Sequence, residues 1–257
     1  MRVTPVEAFV RMLVFGLLLG ASSTAYADTL VITSFSFGNP QVTPTAGTVQ
    51  FTPTGASTRA VATNSVGGNQ DISSNTFPVA QSAVVVTFAS SSATGDATNR
   101  TADVSSSVSL VGCTCTASAF AIAMYNTTFV IQGGDGNVDV TINPMPFAMG
   151  QVTTDQFGTF AHASISWTLT LNGVPIFSND EMLIEVVGAN RTGGFQLTPG
   201  LLSRVVTLQY GVPNTIGLRI FAASAAASAI PEPATVVLLV SGLGVMTGVL
   251  KKRRNVG

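Results

Sequence analysis

The central part of the chain alternates apolar and polar residues with a period of two. From Ile165 to Leu171 (ISWTLTL), the apolar side chains share one face and the hydroxyl-bearing side chains share the other. A half-buried β-strand has this alternation, whereas an amphipathic helix repeats about every 3.6 residues. The same period recurs between Asp28 and about Ala223, so the sequence predicts an all-β body.

Turn residues separate the predicted strands. An Asn-Gly pair at 172–173 predicts a β-hairpin, and Pro175 in its second arm indicates an edge strand, because proline donates no backbone hydrogen bond. The GGDGN segment at 133–137 predicts a second hairpin, formed by strands 129–132 and 138–142. The remaining predicted strands are 29–36, 48–51, 83–88, 104–111, 117–125, 182–187, 205–210 and 215–222.

About ten short strands separated by turns predict a single β-sandwich, of which a jelly-roll-like arrangement is one form. We assign residues 28–223 to this domain, a length that buries a core without a disulfide framework. Residues 38–82 are rich in Pro, Thr, Gly and Asn, which predicts long loops with a few short strands. Residues 222–229 (AASAAASA) are either the end of the last strand or a flexible spacer, and the domain division assigns 224–230 to the spacer.

The first 27 residues have the three regions of a secretory signal peptide. Two arginines supply the positive charge, and the apolar run at 12–19 is too short for a bilayer, which needs about 20 residues. Ala25 and Ala27 place small residues at the cleavage site, so the exported chain is predicted to begin at Asp28.

The last 27 residues contain three consecutive elements. Residues 231–233 are Pro-Glu-Pro, which is stiff and extended because proline disfavours a helix before it. The uncharged stretch 234–250 has the length of a short membrane-spanning helix. Four cations follow and predict a cytoplasmic end by the positive-inside rule: Lys251, Lys252, Arg253 and Arg254.

This order of elements resembles the PEP-CTERM sorting signal, the substrate tail of exosortases. The resemblance is confined to residues 230–254, with Pro231, Glu232 and Pro233 as the sorting motif. It implies that a membrane-embedded cysteine transpeptidase of a Gram-negative bacterium processes the tail, and that the protein is associated with exopolysaccharide and biofilm. The implied partners are the secretion machinery, an exosortase-like transpeptidase, the inner membrane until processing, and polysaccharide.

Charge is scarce and unevenly distributed. Only 9% of the residues are charged, against about 25% in an average protein. Between Asp28 and Ile230 there are 5 arginines, no lysine and 10 acidic residues, so the net charge of this part is -5. Binding to a nucleic-acid backbone needs clustered Lys and Arg, so we predict no nucleic-acid partner.

Cys113 and Cys115 are the only cysteines. Residues i and i+2 of a strand point to the same face, so a bridge between them needs a bent backbone. In an oxidising compartment we predict a local disulfide at a strand end. Two cysteines do not complete a four-ligand zinc site, and their spacing lacks the C-x-x-C pattern of redox motifs.

Asp135, Asn137 and Asp139 have the alternate spacing of oxygen ligands in a calcium loop. An EF-hand also needs Gly at position six and Glu at position twelve, where this chain has Val140 and Pro146. The segment therefore has two interpretations, a hairpin turn and a calcium site. We predict no other cofactor.

The sequence has few residues suited to catalysis. His162 is the sole histidine and falls on the polar face of its predicted strand, and there is no GxSxG, HExxH or P-loop motif. Trp167 and Tyr210 have the rings to stack on sugars, but their apolar alternation favours core packing. We predict that the protein is not an enzyme.

Three hypotheses for function follow. The first is a non-catalytic cell-envelope or extracellular-matrix protein that is sorted through its tail. The second is a carbohydrate-binding or adhesin module, with calcium as an optional aid, and an exposed aromatic platform would favour it. The third is a glycoside hydrolase, which two carboxylates converging in a cleft would favour.

Overall fold

The computed structural model describes residues 28–111, 113–154, 158–197 and 202–228. The predicted signal peptide, sorting motif and spanning helix lie outside these ranges. The described residues contain no helix, and therefore none that would cross a membrane. They form strands β1 (Asp28–Pro44), β2 (Thr48–Asn64), β3 (Asn69–Ser74), β4 (Val79–Val86), β5 (Ala89–Asp96), β6 (Thr101–Val111), β7 (Cys115–Gln132), β8 (Asn137–Thr154), β9 (Gly158–Leu171), β10 (Val174–Val187), β11 (Arg191–Leu197), β12 (Arg204–Gln209) and β13 (Asn214–Ser228).

The strands form two antiparallel sheets. Sheet I has the order β11-β8-β1-β6-β5-β4, and β12 also pairs with β8. Sheet II has the order β10-β9-β13-β7-β2-β3. Buried side chains from both sheets share the same clusters, so the sheets pack face to face, which confirms the all-β class. The jelly-roll-like arrangement stays a prediction.

The hairpin predicted at 172–173 is confirmed. Asn172 has a φ of 51° and Gly173 a φ of 80°, and positive values at both central residues are what a tight hairpin turn of the I′ type requires. Leu171 pairs with Val174 across the turn. β10 ends the order of sheet II, and its register shifts beside Pro175, so the proline lies in an edge strand as predicted.

The hairpin predicted between 129–132 and 138–142 is wrong. The first segment ends β7 in sheet II, and the second begins β8 in sheet I. At this crossing Gln132 pairs with Thr48 of β2, while Asn137 pairs with β12. Glycines allow the chain to turn here, but a turn does not determine which strand accepts and donates the hydrogen bonds beyond it.

The long loops predicted over 38–82 are wrong for most of that segment. Thr48–Asn64 forms the long strand β2, and β3 and β4 follow it. The β2–β7 register shifts between Pro53 and Gly55, so β2 accommodates its proline at a bulge. The alternation in this segment is carried by Ala, Ser and Thr, whose small size resembles loop composition.

Residues 224–228 belong to the last strand rather than to a spacer. β13 extends to Ser228 and pairs over this stretch with β7 on one side and with β9 on the other. Ser224, Ala226 and Ser228 are buried between the sheets. Of the two interpretations of the small-residue segment, the end of the last strand is therefore correct as far as Ser228.

Two clusters of buried side chains fill the space between the sheets. The larger one contains Trp167, whose ring centroid lies 6.5 Å from that of Phe35 and 5.5 Å from that of Phe37. The other is composed mainly of alanine and valine. Along β7, inward residues of 115–119 join the alanine-rich cluster and those of 121–131 join the aromatic one. The core thus has large rings at one end of this strand and small side chains at the other.

Buried hydroxyl groups link the two sheets within this core. Ser224 Oγ of β13 lies 2.8 Å from Thr33 Oγ1 of β1 and 2.8 Å from Ser106 Oγ of β6. It also donates a hydrogen bond to the Ser106 carbonyl oxygen at 3.1 Å. Since a buried polar atom without a partner is costly, this network allows serine and threonine to occupy inward strand positions.

Candidate functional site

The outer face of sheet II carries an aromatic cluster made of two separate pairs, Phe120 with Phe221 and Phe160 with His162. Phe120 of β7 and Phe221 of β13 lie outward and partly exposed, with their ring centroids 6.0 Å apart. On β9, the Phe160 ring stacks against His162 with the centroids 6.1 Å apart. Partly exposed aromatic rings that gather on one face are typical of binding surfaces.

The alternation along β7 explains why large side chains face outward here. Its inward positions from 117 to 123 are all alanine, whereas Phe120, Ile122 and Met124 occupy the outward positions. The usual pattern places the larger apolar residue inside. On this strand the small residue is inside, because the opposite sheet lies close, and the larger residues are left on the surface.

An ion pair borders the aromatic cluster. Arg59 Nε donates to Asp71 Oδ1 at 2.9 Å, and Arg59 Nη2 donates to Asp71 Oδ2 at 2.6 Å. The guanidinium carbon lies 5.5 Å from the centroid of the Phe120 ring. The hydrogen bonds from Arg59 lower the pKa of Asp71, and the same carboxylate raises the pKa of Arg59.

The ion pair between Arg59 and Asp71 predicts a small loss of folding stability at acidic pH. Because the pKa of Asp71 is lower in the folded chain, the pair stabilises the fold above the unfolded-state pKa, about 3.9, and this contribution is lost as the pH falls through the lowered value. We expect Asp71→Asn to make the thermal unfolding midpoint less dependent on pH below about 4. Circular dichroism over an acid series measures this, with Asp135→Asn as the matched control.

Equal acid dependence of the parent chain and of the Asp71→Asn variant would contradict the assignment. The same would hold if Asp135→Asn flattened the acid limb as strongly. The effect is expected to be small because both side chains are about half exposed, 50% for Arg59 and 45% for Asp71.

A surface groove of about 420 Å³ lies beside the aromatic cluster on the same face. Its floor consists of alanine, Phe160 forms one side, and hydroxyl and amide side chains form the other. The Oγ1 of Thr63 and the Oγ of Ser118 are 2.8 Å apart across this surface. The lining residues are Thr63, Asn64, Ser65, Thr116, Ala117, Ser118, Phe160, Ala225, Ala226 and Ala227, and none of them is charged.

The structure joins Cys113 to Cys115, with their Cα atoms 5.4 Å apart. The pair lies where the chain leaves β6 of sheet I and enters β7 of sheet II. The backbone is therefore bent at this point, as a bridge between residues i and i+2 requires.

The three oxygen-bearing residues proposed for calcium are all exposed, at the start of β8 and just before it. Asp135 lies in the exposed connection between β7 and β8, while Asn137 and Asp139 face outward from β8. Asp139 Oδ1 accepts a hydrogen bond from Thr207 Oγ1 at 2.7 Å. In the described part of the chain, no group of three His, Cys, Asp or Glu residues is arranged to hold a metal ion. Calcium binding stays a prediction.

The aromatic residues considered for sugar stacking lie elsewhere. Trp167 is buried, only 3% exposed, which confirms core packing. Tyr210 packs against the aromatic core, and its hydroxyl donates to the Ala46 carbonyl oxygen at 3.0 Å. His162 lies on the outer face as predicted, with Nδ1 4.0 Å from Glu185 Oε2. Among the described residues, the partly exposed phenyl and phenol rings on the outer face of sheet II belong to phenylalanines, which the sequence alone did not mark as binding residues.

The carboxylates of Asp71, Asp96 and Asp103 contact groups other than carboxylates. Asp96 accepts hydrogen bonds from the backbone and side chain of Asn99, and Asp103 accepts one from Ser36 Oγ at 2.5 Å. The carboxylate of Asp71 contacts Arg59. These contacts stabilise turns and strand pairs. They do not bring two acids together.

Comparison of the chain with protein-family models, with curated proteins and with solved structures finds no match.

Proposed function

We propose that this chain is an exported, non-catalytic protein of the cell envelope or extracellular matrix that is sorted through a PEP-CTERM-like tail. The observation that carries the proposal is the order of three elements at residues 231–254: Pro-Glu-Pro, an uncharged stretch and four consecutive cations. Each element has a physical role, and the roles depend on this order.

The proposed route begins with the signal peptide at 1–27, which directs the chain to the secretion machinery. The stretch 234–250 then spans the inner membrane, and the cations at 251–254 keep that end in the cytoplasm. The Pro-Glu-Pro segment at 231–233 would then lie at the outward-facing surface of the inner membrane, where an exosortase-like transpeptidase would process it. The body would then reach the cell surface or the matrix.

Properties of the body support an extracytoplasmic location. The bond between Cys113 and Cys115 fits an oxidising compartment. The outer face of sheet I presents paired hydroxyl groups: Ser90 Oγ and Ser107 Oγ are 2.8 Å apart, as are Ser92 Oγ and Ser105 Oγ. A hydroxyl-rich surface of this kind suits contact with hydrated polymer.

Fractionation with mass spectrometry tests the sorting proposal. The full chain is expressed in a host with an exosortase-like transpeptidase and in the same host without it. We expect the competent host to yield a product that begins at Asp28 and lacks residues 234–257, and the deficient host to retain the whole tail in its membranes. Pro231→Ala/Pro233→Ala should resemble the deficient host, whereas Ile230→Val should be processed normally. Recovery of the intact tail from the competent host would refute the sorting proposal.

A carbohydrate-binding or adhesin module is the second candidate. The outward rings of Phe120, Phe160 and Phe221 favour it, because aromatic surfaces bind the apolar faces of sugar rings. The two candidates are compatible, since a sorted matrix protein needs a surface that retains it in the polymer.

A further inference from the structure

We propose that the groove beside Phe160 on the outer face of sheet II binds a segment of an uncharged glycan chain. This inference rests on the second candidate function and names its ligand class and site. The groove combines an aromatic ring, a small-residue floor and a set of hydroxyl groups.

Cross-strand register produces the shape of the groove. Ala227 of β13 lies between Phe160 of β9 and Thr116 of β7, and the next outward residue, Ala225, lies beside Ser118. Ala225 and Ala227 of β13 thus lie between the Phe160 ring on β9 and the side chains of β7 and β2. The difference in side-chain size leaves a depression in an otherwise continuous sheet face, and its volume of about 420 Å³ is within the range of small-molecule sites.

The groove offers the two kinds of contact that a sugar ring uses. A sugar has an apolar face of C–H groups, which packs on an aromatic ring, and an edge of hydroxyl groups. Phe160 supplies the ring. Thr63 and Ser118 share one hydrogen bond with each other, which leaves this pair one donor hydrogen and three acceptor lone pairs for a ligand.

The absence of charged residues from the lining of the groove indicates an uncharged ligand. The lining residues carry no charge, and the Arg59 guanidinium that borders the aromatic cluster is paired with Asp71. The exported part of the chain has a net charge of -5 and would repel a polyanionic polysaccharide. A neutral polymer is not repelled by this negative charge.

The position of the groove indicates a chain rather than a single sugar. It lies open on the sheet face and runs across β9, β13, β7 and β2. Three strand spacings separate Phe160 from Thr63, a distance of about 14 Å, which is long enough for several sugar units.

Calorimetric titration of the full chain, purified in a mild detergent, tests the proposal. The probes are cellohexaose and laminarihexaose as neutral glycans and a hexamer of mannuronate as the acidic one, each with and without calcium. Phe160→Ala removes the ring, and Ala225→Leu fills the floor without adding charge. Phe147→Ala is the matched control, since Phe147 is a 39% exposed phenylalanine on the outer face of sheet I.

We expect at least one neutral hexamer to bind, and both groove variants to weaken that binding by about tenfold or more. Phe147→Ala should leave the affinity unchanged. Absence of binding by both neutral probes, tighter binding of the mannuronate hexamer, or equal loss in all three variants would overturn the proposal. Conversion of a dimer to a monomer by Ala225→Leu in light scattering would show that a second copy covers the groove and would also overturn it. None of these outcomes bears on tail processing, which mass spectrometry measures separately.

Discussion

Replacing Trp167 with alanine is expected to lower the free energy of unfolding by about 3–5 kcal/mol. The indole ring is 3% exposed and packs against Phe35 and Phe37, so its removal leaves a cavity between the two sheets. Strands from both sheets line this cavity. A strand of either sheet would have to break its pairing with neighbouring strands to move into the cavity. The surroundings therefore relax only partly, and the cost is expected at the upper end for a core substitution.

Urea unfolding followed by circular dichroism measures this effect. Trp167→Phe keeps an aromatic ring and should lose less than half as much stability. Phe160→Ala is the matched surface control, since that ring lies on the outer face of the same strand. If Trp167→Ala were no more destabilising than Phe160→Ala, the placement of Trp167 in the core would be incorrect.

Replacing Gly95 with alanine is expected to lower the free energy of unfolding by about 2–3 kcal/mol, a large loss for the addition of one methyl group. A Cβ atom at this inward position of β5 would lie 2.7 Å from the carbonyl oxygen of Met124 in the opposite sheet. The atom it meets belongs to the backbone of β7, which is paired on both sides by β13 and β2. To relieve this close contact, the two sheets would have to separate locally.

Gly55→Ala is the matched control for this prediction. It adds the same methyl group to a strand of sheet II, but no atom lies within 4 Å of the added Cβ. Thermal unfolding should show a midpoint equal to that of the parent or slightly higher, because alanine restricts the unfolded chain more than glycine does. Equal midpoints for Gly95→Ala and Gly55→Ala would contradict the close approach of the sheets at β5 and β7.

The two glycine positions illustrate which information the sequence lacks. Both residues lie in Ser- and Thr-rich segments, and nothing in their neighbours distinguishes them. The opposite sheet distinguishes them, because a Cβ at Gly95 would meet the backbone of β7, whereas no atom lies within 4 Å of a Cβ at Gly55. A period-two pattern reports which face of a strand a residue occupies, but the distance to the opposite sheet depends on side chains from other strands.

The sequence did not reveal the candidate binding surface, for a related reason. The segment 117–125 predicts a strand, and that strand exists as part of β7. Its pattern of alanine alternating with Phe120, Ile122 and Met124 does not show which set faces inward, since both sets are apolar. Only the packing of sheet I against the alanines leaves the larger residues outside.

Prolines lie in a long part of β8 that sequence patterns did not predict. Pro144 and Pro146 lie in the middle of β8, where a central strand is not expected to hold proline. In the described residues, β11 pairs with β8 only from Ala148 onward and β12 only up to Ile142, so the prolines lie where β8 has β1 alone as its partner. At these positions β8 is an edge strand, and no second neighbour needs the backbone N–H groups that the prolines lack.

The all-β class, the hairpin at 172–173 and the inward face of 165–171 could be predicted from the sequence, and the export and sorting of the chain stay predictions. These features depend on residues that are close in the sequence, where side-chain period, turn conformation and charge order act directly. The three-dimensional structure was needed to show that β7 and β8 belong to opposite sheets, that the sheets lie close at the alanines of β7, and that a groove forms beside Phe160. The physical reason is that strand partners and sheet separation depend on contacts between residues far apart in the chain, which local patterns do not encode.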